Sequence, residues 1–192
     1  MGYTKEQLVD YLYQVADSYG IDRDIAYRQI DQESRFNPDA CSPAGACGIA
    51  QFIPDTARRF GLTDRYDPVA SLDAWGAYMW ALLDQFGWRY DLALAGYNSG
   101  ENRSEYRNAF AEERGINWAV MPSGIQTETR NYLKTILGDS DRPTMPPARR
   151  SPGAKERMMA GFRFSITRAV TALPPLRKAI SFCWPSQESE SC

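Results

Sequence analysis

Apolar side chains recur at the spacing of a helix through residues 1–138, and stretches with the alternation of a strand are almost absent. The first such segment, residues 4–19, begins with Thr4 and Gln7 in the pattern of a capping box and stops before Gly20. Because helices with one apolar stripe must bury that stripe against each other, the pattern predicts an all-α domain of about this length.

Six further helices are predicted from caps, prolines, glycines and apolar periodicity. They cover residues 23–34 after the cap Asp22, 55–60 after Pro54, 71–86 with Ser71 as the cap, 91–98 with Asp91 as the cap, 102–114 and 125–137. The helix over 102–114 is polar and is expected to be exposed. Residues 35–47 are rich in Pro, Gly, Ala and Asn, which predicts a loop. Four tryptophans are interpreted as core or packing residues: Trp75, Trp80, Trp88 and Trp118.

The C-terminal part of the chain differs in composition and charge. Residues 139–157 are Pro-rich and charged, which indicates a linker, and residues 158–192 form a basic, apolar segment that favours a short helix, although a strand stays open. Residues 1–141 carry 13 Lys/Arg and 21 Asp/Glu, whereas residues 142–192 carry 9 and 3. The acidic part is not expected to bind nucleic acid. The basic segment could contact anionic lipid, pack against its own domain or extend into solvent.

The chain contains no histidine. That excludes Ser-His-Asp and Cys-His catalysis, and it argues against a zinc site, so no metal and no cofactor is predicted. Four cysteines are present, at positions 41, 47, 183 and 192. Four cysteines can pair in three ways, one of which joins Cys41 to Cys47, and they could equally form no disulfide.

Glu33 is the acid whose position is most unusual. It follows Ala26 and Ile30 at helical spacing, so it lies on the apolar stripe of its helix rather than on the opposite face. An apolar pocket raises the pKa of a carboxyl group toward neutrality, which suits it to protonate the leaving oxygen of a glycosidic bond.

Four motifs occur in register with this acid. They are Gln32-Glu33-Ser34-Arg35-Phe36-Asn37-Pro38, then Ser42-Pro43-Ala44-Gly45-Ala46 running into Gly48-Ile49-Ala50-Gln51, then Ala95-Gly96-Tyr97-Asn98-Ser99-Gly100, and finally Glu128-Thr129-Arg130-Asn131-Tyr132-Leu133. In this order and spacing they resemble the catalytic domain of the soluble lytic transglycosylases, the goose-lysozyme-like enzymes of bacteria and phages. The resemblance covers roughly residues 5–138 and implies a lysozyme-like helical fold with Glu33 as the catalytic acid.

The resemblance also implies roles for five further residues. Ser42 would lie near the N-acetyl group of the sugar, and Gln51 would line the cleft. Tyr97 and Asn98 match the Tyr-Asn pair of the third motif, and Tyr132 would lie close to the catalytic acid. Two departures occur, since the usual Gly-Leu-Met-Gln and Ala-Tyr-Asn are replaced by Gly-Ile-Ala-Gln and Gly-Tyr-Asn here. Cysteines that flank the serine loop are not a general feature of the family.

The motifs supply no obvious second carboxylate, which ordinary retaining and inverting glycosidases need. The implied substrate is the glycan strand of peptidoglycan, cut between N-acetylmuramic acid and N-acetylglucosamine. With one acid, the N-acetyl carbonyl can attack the anomeric carbon, and the 6-hydroxyl can then close a 1,6-anhydro ring without water. Two alternatives stay open: a hydrolytic muramidase of the same fold, and a catalytically silent virion or secretion-assembly protein that binds the wall.

The first residues, MGYTKEQLVDYL, contain no uninterrupted apolar run, so they do not match a secretory signal peptide. A substrate in the cell wall then requires another route. The expectation is action at the periplasmic or cell-wall face after delivery by a phage virion or a specialised secretion assembly.

Overall fold

The computed structural model describes residues 2–138, and over that range the fold is helical without a named strand. The predicted linker over 139–157 and the basic segment over 158–192 lie outside the described residues. Seven α-helices occur in the order α1 (Lys5–Tyr19), α2 (Arg23–Ser34), α3 (Pro54–Arg59), α4 (Pro68–Gln85), α5 (Tyr90–Ser99), α6 (Ser104–Ala111) and α7 (Ser123–Leu137), with a 3₁₀ turn at Trp118–Val120. The prediction of an all-α domain is confirmed.

The first two helices begin and end where the sequence predicts. Thr4 accepts a hydrogen bond from the backbone of Gln7 while the Gln7 side chain accepts from the backbone of Thr4, which completes the capping box. Gly20 adopts the left-handed conformation that ends α1. The Asp22 carboxylate then accepts from two backbone amides in the first turn of α2.

The predicted start of α4 is wrong by three residues. The helix begins at Pro68, and Asp67 is its N-cap, accepting from the backbone amides of Val69 and Ala70. Ser71 lies inside the first turn, where it is buried and donates to the carbonyl oxygen of Arg65. A serine hydroxyl can cap a helix, but this one donates its hydrogen bond to a carbonyl oxygen in the loop before α4.

Two other helix boundaries also differ. Asp91 is not the cap of α5, because the helix begins at Tyr90 and the Asp91 carboxylate pairs with the buried Arg89 guanidinium at 2.6 Å. The helix predicted over 102–114 is shorter, since α6 ends at Ala111 and the chain turns at Glu113 with φ of 51°. It is not wholly exposed either, because Tyr106 and Ala109 are buried.

Helix α4 lies at the centre of the core. It packs against α1 on one side and α5 on the other, while α7 packs against α5 and α2. Trp75 on α4 is fully buried, and Trp88 and Trp118 are partly buried against the same core, as expected, whereas Trp80 is partly buried outside that core cluster. Within residues 2–138, none of the helices is both long and apolar enough to span a lipid bilayer.

Candidate active site

Glu33 lies in the last turn of α2, at the end of the stripe that contains Ala26 and Ile30. Both apolar residues are fully buried. Directly after the helix, Arg35 and Phe36 adopt positive φ angles of 56° and 63°, so the chain turns sharply away. This turn leaves the Glu33 side chain half-buried between the helices instead of at a solvated helix end.

Two opposing effects set the pKa of the Glu33 carboxyl group. Its pKa is raised from 4.5 to about 7, mainly by burial and in smaller part by the nearby charge of Glu128. The Tyr132 hydroxyl donates to Glu33 Oε1 at 2.5 Å, which stabilises the carboxylate and lowers the pKa. At neutral pH the group therefore populates both its protonated and its ionised form, so it can give and take a proton.

Helices α5 and α7 form the wall opposite α2. Asn98 near the end of α5 accepts a hydrogen bond from Thr129 of α7 at 2.8 Å through Oδ1, which ties the two helices together. The Tyr97 hydroxyl donates to the carbonyl oxygen of Ala50 at 2.6 Å, and its ring lies 4.9 Å from the ring of Tyr78. Tyr97 thus joins α5 to the loop after α2, and burial raises the pKa of its phenol well above the ordinary value.

Gln51 holds the backbone of the loop between α2 and α3. It adopts a φ of 50°, and its Nε2 donates to the carbonyl oxygens of Ala40 and Gly48 at 3.0 and 2.9 Å. The Ser34 hydroxyl donates to the carbonyl oxygen of Ile49 at 2.7 Å, which fixes the loop to the end of α2 beside Glu33. The Gln51 amide thus stabilises the backbone conformation of the loop.

Ser42 lies in a tight turn that Cys41 and Cys47 close. The two cysteines form a disulfide, so one of the pairings that the sequence left open is made. Ser42 Oγ accepts from the backbone amide of Ala46 at 3.2 Å, and Arg65 donates to the carbonyl oxygen of Gly45 at 2.8 Å. The serine hydroxyl, like the Gln51 amide, therefore has a bond within the loop.

A cavity of about 330 Å³ opens beside Glu33. It is lined by Gln32, Glu33, Asn98, Glu128, Asn131, Tyr132 and Thr135. Three of the six site residues expected from the sequence are in this lining, and Tyr132 lies against the acid as the resemblance implies. Tyr97, Gln51 and Ser42 are outside it, and the first two of them instead support the backbone around the site.

Four cavity-lining residues were not singled out from the sequence: Gln32, Glu128, Asn131 and Thr135. Three of them recur on α7 at the spacing of one helical face, together with Tyr132. Placing Tyr132 beside Glu33 would have predicted this polar face. Glu128 matters most, because the fourth motif contained this carboxylate without a site role, and it lines the same cavity as Glu33.

A metal site is not evident in this region. Across residues 2–138, histidine, cysteine, aspartate and glutamate do not gather in a group of three or more that could hold an ion. The chemistry that the cavity offers is instead proton transfer by carboxyl groups, with amide, phenol and hydroxyl groups to bind a polar substrate.

Several known proteins that are named as transglycosylases are similar in sequence to this chain. The chain is 27% identical over 140 residues to the transglycosylase of Enterobacteria phage PRD1, which covers 72% of this chain and 48% of the relative. It is 36% identical over 115 residues to membrane-bound lytic murein transglycosylase D of Escherichia coli K12, covering 57% and 25%. It is 31% identical over 151 residues to peptidoglycan transglycosylase gp16 of Escherichia phage T7, covering 73% and 11%. The chain thus spans about half or less of the length of these relatives.

Solved structures agree with the fold. The lytic transglycosylase Slt of Pseudomonas aeruginosa, solved as an inactive mutant, matches 67% of this chain and 22% of its own with a TM-score of 0.54 at 28% identity. The 70 kDa soluble lytic transglycosylase of Escherichia coli matches the same shares with a TM-score of 0.54 at 26% identity. The family model described as "Transglycosylase SLT domain" matches residues 10–118, more than half of the chain. The chain therefore belongs to the Transglycosylase SLT domain family.

Proposed function

We propose that this chain is a peptidoglycan lytic transglycosylase, which cuts the β-1,4 bond between N-acetylmuramic acid and N-acetylglucosamine and leaves a 1,6-anhydro product. The observation that carries the proposal is the half-buried Glu33 carboxyl group, with a pKa raised by burial to about 7, in contact with Tyr132 and open to a polar cavity. Membership of the family, and relatives named lytic murein transglycosylase and peptidoglycan transglycosylase, support the choice of substrate.

The first step uses Glu33 as an acid. Its proton passes to the glycosidic oxygen, the bond from that oxygen to the anomeric carbon of muramic acid breaks, and N-acetylglucosamine leaves with a free 4-hydroxyl. The carbonyl oxygen of the muramic N-acetyl group forms a bond to the anomeric carbon and carries the positive charge as an oxazolinium ion. Glu33 is left as a carboxylate, and Tyr132 stabilises it by a hydrogen bond.

The second step uses the same residue as a base. The Glu33 carboxylate removes the proton from the 6-hydroxyl of the muramic sugar, and that oxygen attacks the anomeric carbon while the carbonyl oxygen leaves. The N-acetyl group is restored, a 1,6-anhydro ring is formed, and Glu33 is again protonated. Water is not consumed, so the summed mass of the products equals that of the strand.

The hydrolytic muramidase is the second candidate, and Glu128 is the observation that favours it. A carboxylate that lines the same cavity as the acid could activate water, as the second acid of an inverting glycosidase does. The product would then have a reducing end and be one water heavier. Product mass thus separates the two reactions.

The test is mass spectrometry of the soluble fragments released from purified wall sacculi. The intact chain is expected to release anhydro-muropeptides, and Glu33→Gln is expected to release none, because an amide of the same shape cannot give up a proton. Glu6→Gln is the matched control, since that carboxylate is exposed on α1. Reducing-end products that disappear in Glu128→Gln would instead establish hydrolysis. Binding to sacculi without release of fragments would mean that the domain only attaches to the wall.

We also infer that the chain acts at the cell wall and reaches it with a phage virion or a secretion assembly. The support for the virion is that two relatives are phage proteins. Mass spectrometry of virions purified from a phage that encodes the chain would detect it, whereas its absence from virions and its presence in the lysate would contradict virion delivery.

A further inference from the structure

Gln29 lies one helical turn before Glu33 on the face of α2 that meets α7. Its side chain is 0% exposed, and within the part of the chain that the structure describes neither polar atom of its amide has a hydrogen-bond partner. Ala26 and Ile30, its neighbours on the helix, are equally buried and are apolar. A glutamine at this depth destabilises the fold unless its amide has a partner, so the residue calls for an explanation.

The Tyr132 hydroxyl is the polar group that is available to form a hydrogen bond with the Gln29 amide. The amide lies close enough to this hydroxyl to lower the pKa of the phenol, against the larger rise that burial causes. The one hydrogen of that hydroxyl is already donated to Glu33 Oε1. The phenol oxygen can therefore only accept a further bond, and of the two ends of an amide only the NH₂ group can donate one.

We propose that Gln29 is a positioning residue, whose Nε2 donates to the Tyr132 hydroxyl oxygen and so keeps the hydrogen of that hydroxyl on the Glu33 carboxylate. Such a chain of bonds is cooperative, because a phenol that accepts a hydrogen bond becomes a stronger donor. The carboxylate form of Glu33, which the second step of the proposed reaction requires, is stabilised through Tyr132. The link to catalysis rests on the proposed function, whereas the link to the carboxyl group does not.

The other groups that face Glu33 do not supply this stabilisation. Tyr97 from α5 donates its hydrogen to the carbonyl oxygen of Ala50, and Glu128 from α7 carries a negative charge that opposes ionisation of Glu33. Tyr132 is the group whose hydrogen bond favours the Glu33 carboxylate. A residue that strengthens the Tyr132 bond therefore acts directly on the protonation of the acid.

The experiment is a titration of the Glu33 side-chain carboxyl by ¹³C NMR, with the signal assigned through its loss in Glu33→Gln. Gln29→Met keeps the length of the side chain and removes the amide. We expect the pKa of Glu33 to rise by about 0.5–1 unit, equal to about a three- to tenfold change in its proton affinity, which is the size of one hydrogen bond. Ile30→Met is the matched control, since it alters buried packing on the same helix without removing a polar group.

Thermal unfolding separates positioning from a purely structural role. Loss of a purely structural amide would change the melting temperature equally at every pH, whereas loss of a bond that favours the Glu33 carboxylate lowers it more at pH 9 than at pH 5. A rise in the pKa of Glu33 together with a larger fall in melting temperature at pH 9 than at pH 5 is thus expected. Gln29→Leu is prepared in parallel, so that misfolding of one variant leaves the other to decide.

Two results would overturn the proposal. One is a Glu33 titration in Gln29→Met that matches the intact chain. The other is an equal shift caused by Gln29→Met in a Tyr132→Phe background, because the action would then not pass through Tyr132.

Activity on sacculi is measured on the same samples, where we expect the alkaline limb of kcat to move up by the same 0.5–1 pH unit with KM unchanged. If the intact chain releases no fragments while the titration still shifts, the proposed function fails and the coupling of Gln29 to Glu33 stands. If fragments are released and the titration does not shift, only the role of Gln29 fails.

Discussion

Glu33 shows how the surroundings of one carboxyl group set the balance between its two protonation states. Burial makes the neutral acid favourable, and the Tyr132 hydrogen bond makes the carboxylate favourable, so the two forms are close in free energy near pH 7. An exposed glutamate would be almost wholly ionised at that pH and a poor proton donor. The position of Glu33 at the end of an apolar stripe is therefore the main cause of its raised pKa.

The rate of fragment release should depend on the protonation of Glu33. Because the first step needs the acid form, we expect the rate to fall about tenfold for each pH unit well above 7. Initial rates of soluble fragment release from sacculi between pH 5 and 9 measure this. Tyr132→Phe removes the hydrogen bond that lowers the pKa of Glu33, so its alkaline limb should lie at higher pH. An alkaline limb that stays in place in Tyr132→Phe would contradict the assignment.

The same raised pKa predicts that Glu33 destabilises the fold at alkaline pH. Between pH 4.5 and about 7 the folded chain holds a proton on Glu33 that the unfolded chain has lost, so stability falls as pH rises through this window. We expect the intact chain to lose on the order of 3 kcal/mol relative to Glu33→Gln by pH 8. Urea unfolding of both chains at pH 4 and pH 8 measures the difference, with Glu113→Gln, a change at an exposed carboxylate, as the control. A difference that is the same at both pH values would show that the pKa of Glu33 is not raised.

At the scale of elements, the loop between α2 and α3 is held in place next to the site by three side chains. It is fixed at one end by the Ser34 hydroxyl, in its middle by Gln51, and against α5 by Tyr97. Gly48 allows the loop to approach the next segment, because a Cβ built on it would lie 1.8 Å from the carbonyl oxygen of Arg65. Its φ of 85° is also one that other residues rarely adopt.

Gly48→Ala should therefore be far more damaging than the same change at Gly45. Both glycines have positive φ, but a Cβ on Gly45 meets no atom within 4 Å. We expect a loss of more than about 3 kcal/mol for Gly48→Ala and about 1–2 kcal/mol for Gly45→Ala, since only the first adds a backbone clash to the strain. Equilibrium unfolding in urea compares the two variants, and equal losses would mean that the close approach to Arg65 is not a constraint.

At the scale of the molecule, α1 to α7 share one core, and the described lining of the cavity comes from α2, α5 and α7. Helix α4 packs against α1 and α5, and the helices that carry Glu33 and Tyr132 pack against each other. The site therefore depends on the whole helical domain and not on a single motif.

A chain that ends after Gly138 is expected to fold and to retain the activity proposed for the whole chain. The physical reason is that the helices α1 to α7 already bury a shared set of side chains, and α2, α5 and α7 supply the described lining of the cavity. Circular dichroism with thermal unfolding, and fragment release from sacculi under the same conditions, test the two parts of the prediction. A non-cooperative transition, or fragment release reduced more than about tenfold with the fold intact, would show that residues 139–192 complete the domain or the site.

The sequence by itself determined the helical fold and the boundaries of α1 and α2. These depend on interactions within about four residues, such as the Thr4–Gln7 capping box and the apolar pair Ala26 and Ile30. Only the tertiary structure showed that Asp67, and not the predicted Ser71, caps α4, because the Ser71 hydroxyl donates to the carbonyl oxygen of Arg65. It also decided that Glu128 and Thr135 line the cavity while Gln51 and Tyr97 support the backbone. Those assignments follow from the packing of helices whose key residues, Glu33 and Tyr132, are 99 positions apart, a distance over which no local pattern carries information.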